Sequence, residues 1–332
     1  MQKLPTRRAV LMAGAALAAS APTGVAGQDR TPLKVMSFPG LSNFPHYAAE
    51  HKALFARHGL AVELLYTPSS TVQREGLARG DHQIIQTAAD NSVAMVEMAK
   101  ADAIIVTGGD NGFNRIIVQP EIASLADLRG RTVAVDAPNT AYALLLYKAL
   151  KAAGLSRGDY SVNAVGGTTE RLNAMKTDKA HAAAAVMNVP FNFSATAAGL
   201  KDLGSATAAV GAYQAGAVVV MRRWAEANSD ALVRYIAAVV EGRRWLLDRA
   251  NRGEAVQLLV DKARLPPAIA ARAYDVVTDP VEGFRKDAGF DMEGFKNVLR
   301  LRAEIEGQWG GIPPAPDRYI DLSYYDKALA GL

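Results

Sequence analysis

The 332-residue chain contains no cysteine. That excludes disulfides, thiolate nucleophiles, thiolate-bound zinc, iron–sulfur clusters and lipid attachment to a cysteine of this chain. It does not argue against an oxidising compartment, because a chain of this size buries enough apolar surface to need no covalent staple. Runs of one charge sign are also missing: beyond the first residues, Lys and Arg are interleaved with Asp and Glu and form no basic stripe. Nucleic-acid binding therefore has no electrostatic footing. After residue 26 no apolar stretch is long enough to cross a bilayer as a helix. The five histidines, His46, His51, His58, His82 and His181, form no ligand cluster in sequence, so no metal site is expected. Phosphate loop, nucleophile elbow and zinc motif are absent too, and no cofactor is expected.

What is present begins with the N-terminus. No acid precedes Asp29, whereas Lys3, Arg7 and Arg8 make the opening positive. The short apolar run Ala9 to Ala19 follows, and Gly24-Val25-Ala26 puts small side chains ahead of a cut after Ala26. This order is that of a cleaved secretory signal peptide over residues 1–26, rather than of a first helix of the fold. Thr6-Arg7-Arg8-Ala9-Val10-Leu11 is also similar to a twin-arginine export signal, with Val10 where Phe is common. Losing Lys3, Arg7 and Arg8 takes the formal net charge from +4 to +1, so the basic balance says little about partners. A soluble, mature, periplasmic protein is expected.

The remaining chain alternates short apolar runs with amphipathic ones. Strands are expected at Leu33–Ser37, Val62–Tyr66, Ile84–Thr87 and Ala103–Thr107, with helices over 45–57, 70–79 and 92–100 between them. The rhythm repeats with strands at Ile116–Gln119, Thr132–Asp136, Val162–Val165, His181–Met187 and Ala217–Met221 and helices over 141–153, 169–177 and 190–198. From Trp224 on the pattern is helical: 230–247, 254–262, 267–277 and 292–306. Strand–helix alternation argues for mostly parallel sheets covered on both faces. Two α/β units fit better than one long sheet, with residues 32–113 and 214–332 in one lobe and 114–213 in the other. Arg115–Gln119 and Gln214–Met221 are expected to be the two crossovers, a pairing that permits hinge bending. Ligands of such sheets bind at the carboxyl ends of the strands. Two such edges facing across a hinge enclose a cleft.

Several segments, in order, resemble the nitrate/sulfonate/taurine and thiamine-precursor family of solute-binding proteins. Phe38-Pro39-Gly40 follows the first strand, and Ala49 to Glu63 is similar to that family's A-x-x-x-G-x-F-x-x-x-G-L-x-V-E. Leu77-Ala78-Arg79-Gly80-Asp81, Asp127-Leu128-Arg129-Gly130-Arg131 and the alanines running to Asn188-Val189-Pro190 match its later elements. The chain departs from the pattern at Asp136-Ala137-Pro138-Asn139-Thr140, where Gly or Ser-Gly is usual, and at Gln83-Ile84-Ile85-Gln86. The resemblance implies a two-lobed type II periplasmic-binding-protein fold. It also implies a monomeric receptor that delivers a small solute to an ABC permease in the inner membrane.

Candidate ligand contacts lie in loops between strand ends and helix starts, where free amides can meet a ligand oxygen. Asn139-Thr140 ahead of the helix from Ala141, and Gly166-Gly167-Thr168, fit this, although each could be only a cap. Asp90-Asn91 and Asp110-Asn111 follow the third and fourth strands, where turns and caps also favour Asp and Asn. Two aspartates in the cleft would disfavour an anion by several kcal/mol of the order set by intermediate dielectric. A neutral or amine-bearing organic solute is thus expected ahead of a sulfonate. Phe38, Phe44, His46, Tyr142 and Phe191 could supply walls, and Asn43, Ser70 and Asn188 complete the set.

A second class of function is an enzyme on the same fold, such as a pyrimidine-synthesising or dehydratase relative. Such chemistry needs a nucleophile with its base, or a metal. The iron-using relative carries a cysteine-rich element that this chain lacks. A periplasmic sensor is a third reading. The sequence favours a non-enzymatic receptor.

Overall fold

The protein, represented by a computed structural model, is described over residues 30–280 and 282–332; the expected signal peptide lies outside the described residues. Ten strands form two five-stranded sheets. In chain order they are β1 (Thr31–Ser37), β2 (Leu60–Tyr66), β3 (Ile84–Ala88), β4 (Ala103–Thr107), β5 (Arg115–Val118), β6 (Thr132–Val135), β7 (Ser161–Ala164), β8 (Ala184–Met187), β9 (Lys201–Ser205) and β10 (Gly216–Met221). The first sheet has the order β2-β1-β3-β10-β4 and the second β7-β6-β8-β5-β9. In each, the first three strands are parallel, and the fourth runs antiparallel to both its neighbours. That antiparallel strand is the one that has just arrived from the other sheet. The two halves therefore repeat one topology.

Arg115–Val118 and Gly216–Met221 are strands, as expected, but each lies wholly within one sheet and is not itself the crossing. The crossings are the segments before them, residues 108–114 and 206–215. Apolar β-branched residues explain the difference: the β5 sequence RIIV and the β10 sequence GAVVVM are largely buried ladders, and the crossings lie in the segments before them. Helices cover the sheets: α1 (Phe44–His51), α2 (Leu54–Arg57), α3 (Ser70–Arg79), α4 (Ala89–Glu97), α5 (Ala141–Ala152), α6 (Thr168–Thr177) and α7 (Phe191–Ala197). The C-terminal third adds α8 (Arg222–Ala227), α9 (Ser229–Leu247), α10 (Arg252–Ala263), α11 (Pro267–Val277), α12 (Met292–Glu306) and α13 (Ser323–Ala330).

Long helix α9 buries Leu232, Tyr235, Ile236, Val239 and Val240 against the first sheet and α1. Gly242 permits that approach, since a Cβ there would stand 2.6 Å from the Pro45 carbonyl oxygen. The apolar core nearest the crossings is shared by both halves. Val93 of α4 and Phe295, Val298 and Leu299 of α12 belong to the same cluster as Leu144 and Leu145 of α5. Within this seam Arg302 of α12, fully buried, donates to both carboxylate oxygens of Asp90 at 2.5 and 2.9 Å. Its Nη2 also donates to the Asn139 carbonyl across the seam, at 2.9 Å. One guanidinium thus joins the first turn of α4, α12 and the segment leading to α5.

Two local departures from expectation have clear causes. Residues 45–57 are not one helix: Ala53 takes a left-handed backbone (φ 53°) and separates α1 from α2. The family pattern has glycine at this position. His46, expected at a ligand wall, is instead enclosed on α1 between Phe55 and Tyr235, with ring centroids 4.7 and 6.2 Å away. Phe44 beside it packs edge-on to Tyr274 in the core. Burial, with Lys262 nearby, lowers the His46 imidazole from 6.5 to about 3, so it is neutral in the fold.

Two measurements follow from these residues. The left-handed conformation costs an alanine about 1–2 kcal/mol and glycine's extra chain entropy offsets about 0.5–1 of that. Ala53→Gly should therefore raise the urea-unfolding free energy by roughly 0.5–1 kcal/mol; a decrease would contradict the strain. For His46, the unfolded chain takes up a proton below pH 6.5 and the fold does not. Stability therefore falls as pH drops from about 6.5 toward 3, at up to about 1.4 kcal/mol per pH unit. His46→Gln should flatten the pH–stability curve by that slope between pH 6 and 4, and parallel curves would refute the neutral buried imidazole.

Candidate functional site

The carboxyl ends of the two parallel strand sets face one another and enclose a cleft of about 980 Å³, measured out to its mouth. The first lobe supplies Ser37 and Phe38 after β1, Gln86 and Thr87 of β3, Asn91 of α4 and Asp110 after β4. The second supplies Asp136 after β6, Thr140 and Tyr142 at the start of α5, Gly167 and Thr168 at the start of α6, and Asn188 after β8. Each lobe thus brings one aromatic ring, Phe38 or Tyr142, and several polar groups. At the mouth the lobes touch. Ser70 Oγ donates to Asp136 Oδ2 at 3.1 Å and the Gly167 amide donates to the Pro68 carbonyl at 3.0 Å. Gly40 approaches so closely that a Cβ on it would stand 3.2 Å from Asn188 Nδ2.

Of the residues expected at the site, Phe38, Ser70, Asn91, Asp110, Thr140, Tyr142, Gly167, Thr168 and Asn188 are brought together as lining. The others are not. Asn43 braces the loop after β1 by donating to the Phe38 and Gly40 carbonyls, and Phe44 and His46 are core. Asp90 is turned to Arg302 behind the lining, and Asn139 meets the same arginine through its carbonyl. Asn111 faces outward to Glu282, 2.9 Å away. Gly166 accepts from Arg171 through its carbonyl, and Phe191 packs on the second lobe's core. For Asp90 the reason is that α4 begins at Ala89, three residues earlier than expected, so Asp90 and Asn91 are helical neighbours that point different ways and only Asn91 lines the cleft.

The sequence reading missed Ser37, Ser42, Gln86, Thr87, Asp136, Arg171 and Arg243, all of which line the cleft. Arg171 and Arg243 sit within helices, where a charged residue ordinarily reads as solvent-facing. Asp136 was visible only as a departure from the family pattern.

Their environments decide what they can do. Arg171 is buried, and its Nε, Nη1 and Nη2 donate to the Val186 carbonyl, the Gly166 carbonyl and Thr168 Oγ1. Arg243 donates through Nη1 to the Gly109 and Arg285 carbonyls; burial lowers its guanidinium to about 10, still cationic at neutral pH. Burial raises Asp110, against the pull of Arg243, the Gly112 amide and Ser42. The Tyr142 phenol is pushed up to about 12 by burial and by the Asp110 carboxylate, so it stays a neutral donor. Among the described residues, Gln86 Oε1, Asn91 Oδ1 and Asn188 Oδ1 are lining oxygens without a hydrogen-bond partner in the protein, and Arg243 Nε is an unpartnered donor. The unmet groups are mainly acceptors.

The comparisons agree with this architecture. An ABC transporter periplasmic binding protein of Brachyspira hyodysenteriae is 27% identical over 230 residues, 64% of either chain. The chain thus spans about 64% of the length of that curated relative. The periplasmic nitrate-binding protein NrtA of Synechocystis PCC 6803 superposes with a TM-score of 0.74 at 15% identity, over 92% of this chain and 89% of that one. The periplasmic aliphatic sulphonate-binding protein SsuA of Escherichia coli does so with 0.66 at 20%, over 83% and 87%. At these identities the likeness shows the fold: two α/β lobes of the type II periplasmic-binding-protein kind. Residues 42–252, more than half of the sequence and including most of the cleft, match the family described as NMT1/THI5 like, and the chain belongs to that family.

Proposed function

We propose that the protein is an extracytoplasmic solute-binding receptor, exported to the periplasm, that encloses one small organic solute and presents it to the permease of an ABC importer. The observation that carries this reading is the cleft itself. Its lining comes from both sheets, more from the first lobe than from the second, and the chain crosses between them only twice, so capture and lobe closure are one event. Binding free energy then offsets the cost of bending, and only the closed form carries the paired surfaces of both lobes. The relative named above as an ABC transporter periplasmic binding protein supports the same reading.

The cleft's chemistry favours a receptor over an enzyme. No histidine or lysine is among the lining residues, so no such base stands beside a lining hydroxyl. Ser70 does meet a carboxylate, Asp136, but Thr140 Oγ1 also donates to that carboxylate.

A thermal-shift screen of sulfonates, amines, pyrimidines and aromatic acids should find a solute that raises the melting temperature and is recovered unchanged. Asn91→Ala, which removes a lining oxygen and the bond that Asn91 donates to Thr87, should then weaken that solute at least about tenfold in a variant that circular dichroism shows to be folded. Product formation would replace the receptor with an enzyme.

A further inference from the structure

We infer that Asp136 is the specificity-determining residue of the cleft: its carboxylate occupies the place an anionic ligand group would take, so the solute is non-anionic and binds by donating hydrogen bonds. This deepens the receptor reading and rests on it.

The surroundings of Asp136 are those that recognise an oxyanion. Its Oδ1 accepts from the hydroxyl of Thr140, the N-cap residue of the twelve-residue helix α5. Its Oδ2 accepts from Ser70 Oγ of the opposite lobe, and Arg171 Nη1 lies 3.9 Å away. Helix N-terminus, hydroxyls and buried guanidinium together would hold a sulfonate or carboxylate well. Here the chain supplies the anion itself. Two of the other helices that start at the cleft, α4 and α6, also carry an acid in the first turn, whereas α1 and α3 carry none. Asp90 lies in the first turn of α4, and Glu170 in that of α6. A Cβ on Gly167 would be only 2.9 Å from Glu170 Oε2. Arg74 of α3, outside the lining, is electrostatically coupled to Asp90 and Asp136. The N-termini of α4, α5 and α6 therefore have carboxylates of the protein beside them before any solute arrives.

What is left over is complementary to a donor. Gln86 Oε1, Asn91 Oδ1 and Asn188 Oδ1 line the cleft unpartnered, and both lobes contribute to that set. A buried acceptor without a partner is costly, and N–H or O–H groups on the solute would satisfy these three. An anion would satisfy none of them and would meet Asp110 and Asp136 at close range. Arg243 Nε, the unpartnered donor, admits one acceptor on the same solute.

Titration calorimetry with nitrate and methanesulfonate tests this on the wild type, Asp136→Asn and Asp136→Ser, with circular dichroism confirming that each variant folds. The wild type should show no binding at millimolar anion. At least one folded variant should bind methanesulfonate roughly tenfold or more tightly than the wild type. Micromolar binding of either anion by the wild type would overturn the assignment, and this arm stands whether or not a variant folds. Two folded variants with unchanged anion affinity would overturn it as well. Neither result touches the receptor reading, which falls on turnover of a bound solute instead.

Discussion

The Asp90–Arg302 pair is the constraint from which the rest of the molecule is organised. Withdrawing both charges from water costs several kcal/mol per ion, and only bidentate geometry with further hydrogen bonds repays it. Arg302 has that geometry, and its remaining bond to the Asn139 carbonyl crosses from one half to the other. Around it α4, α12 and α5 share one apolar cluster. The two lobes are therefore joined by a packed seam on one side and by two short crossings, while the opposite side is a polar mouth held by single hydrogen bonds. Removing either charge would leave its partner buried and unpaired, at a cost of about 3–5 kcal/mol.

That asymmetry gives the cleft its mechanical character. Asn91 follows Asp90 directly, and Thr140 follows Asn139, so the ion pair sets the position of one lining residue in each lobe without touching solute. Contacts at the mouth are few by comparison. Ser70–Asp136 and Gly167–Pro68 are the contacts that the proposed opening would break, with the Arg302 seam lying elsewhere.

Much of this was legible in the residues. The bounds of α3, α11 and α12 follow from their apolar periodicity and caps, and β4 from its run of β-branched residues. Other elements were hidden for physical reasons. The edge strand β9, Lys201–Ser205, is polar and half exposed, so it carries no alternation, and alanine hides the left-handed turn at position 53 that only the glycine of the family pattern signals. Within the cleft, the loop rule found residues at strand ends and helix starts. Arg171 and Arg243 escaped it because long-range packing alone buries a helical arginine. The expectation of two cleft aspartates was right for Asp110, but the second is Asp136, since Asp90 is committed to Arg302.

The lack of cysteine allows a direct test of lobe closure, because two introduced thiols can be spin-labelled without background. Val72 on α3 and Asn173 on α6 are exposed and flank the mouth from opposite lobes. Pulsed electron–electron distances in Val72→Cys/Asn173→Cys should shorten and narrow on saturation with a solute that raises the melting temperature. A distance distribution unchanged by that solute would contradict capture by closure.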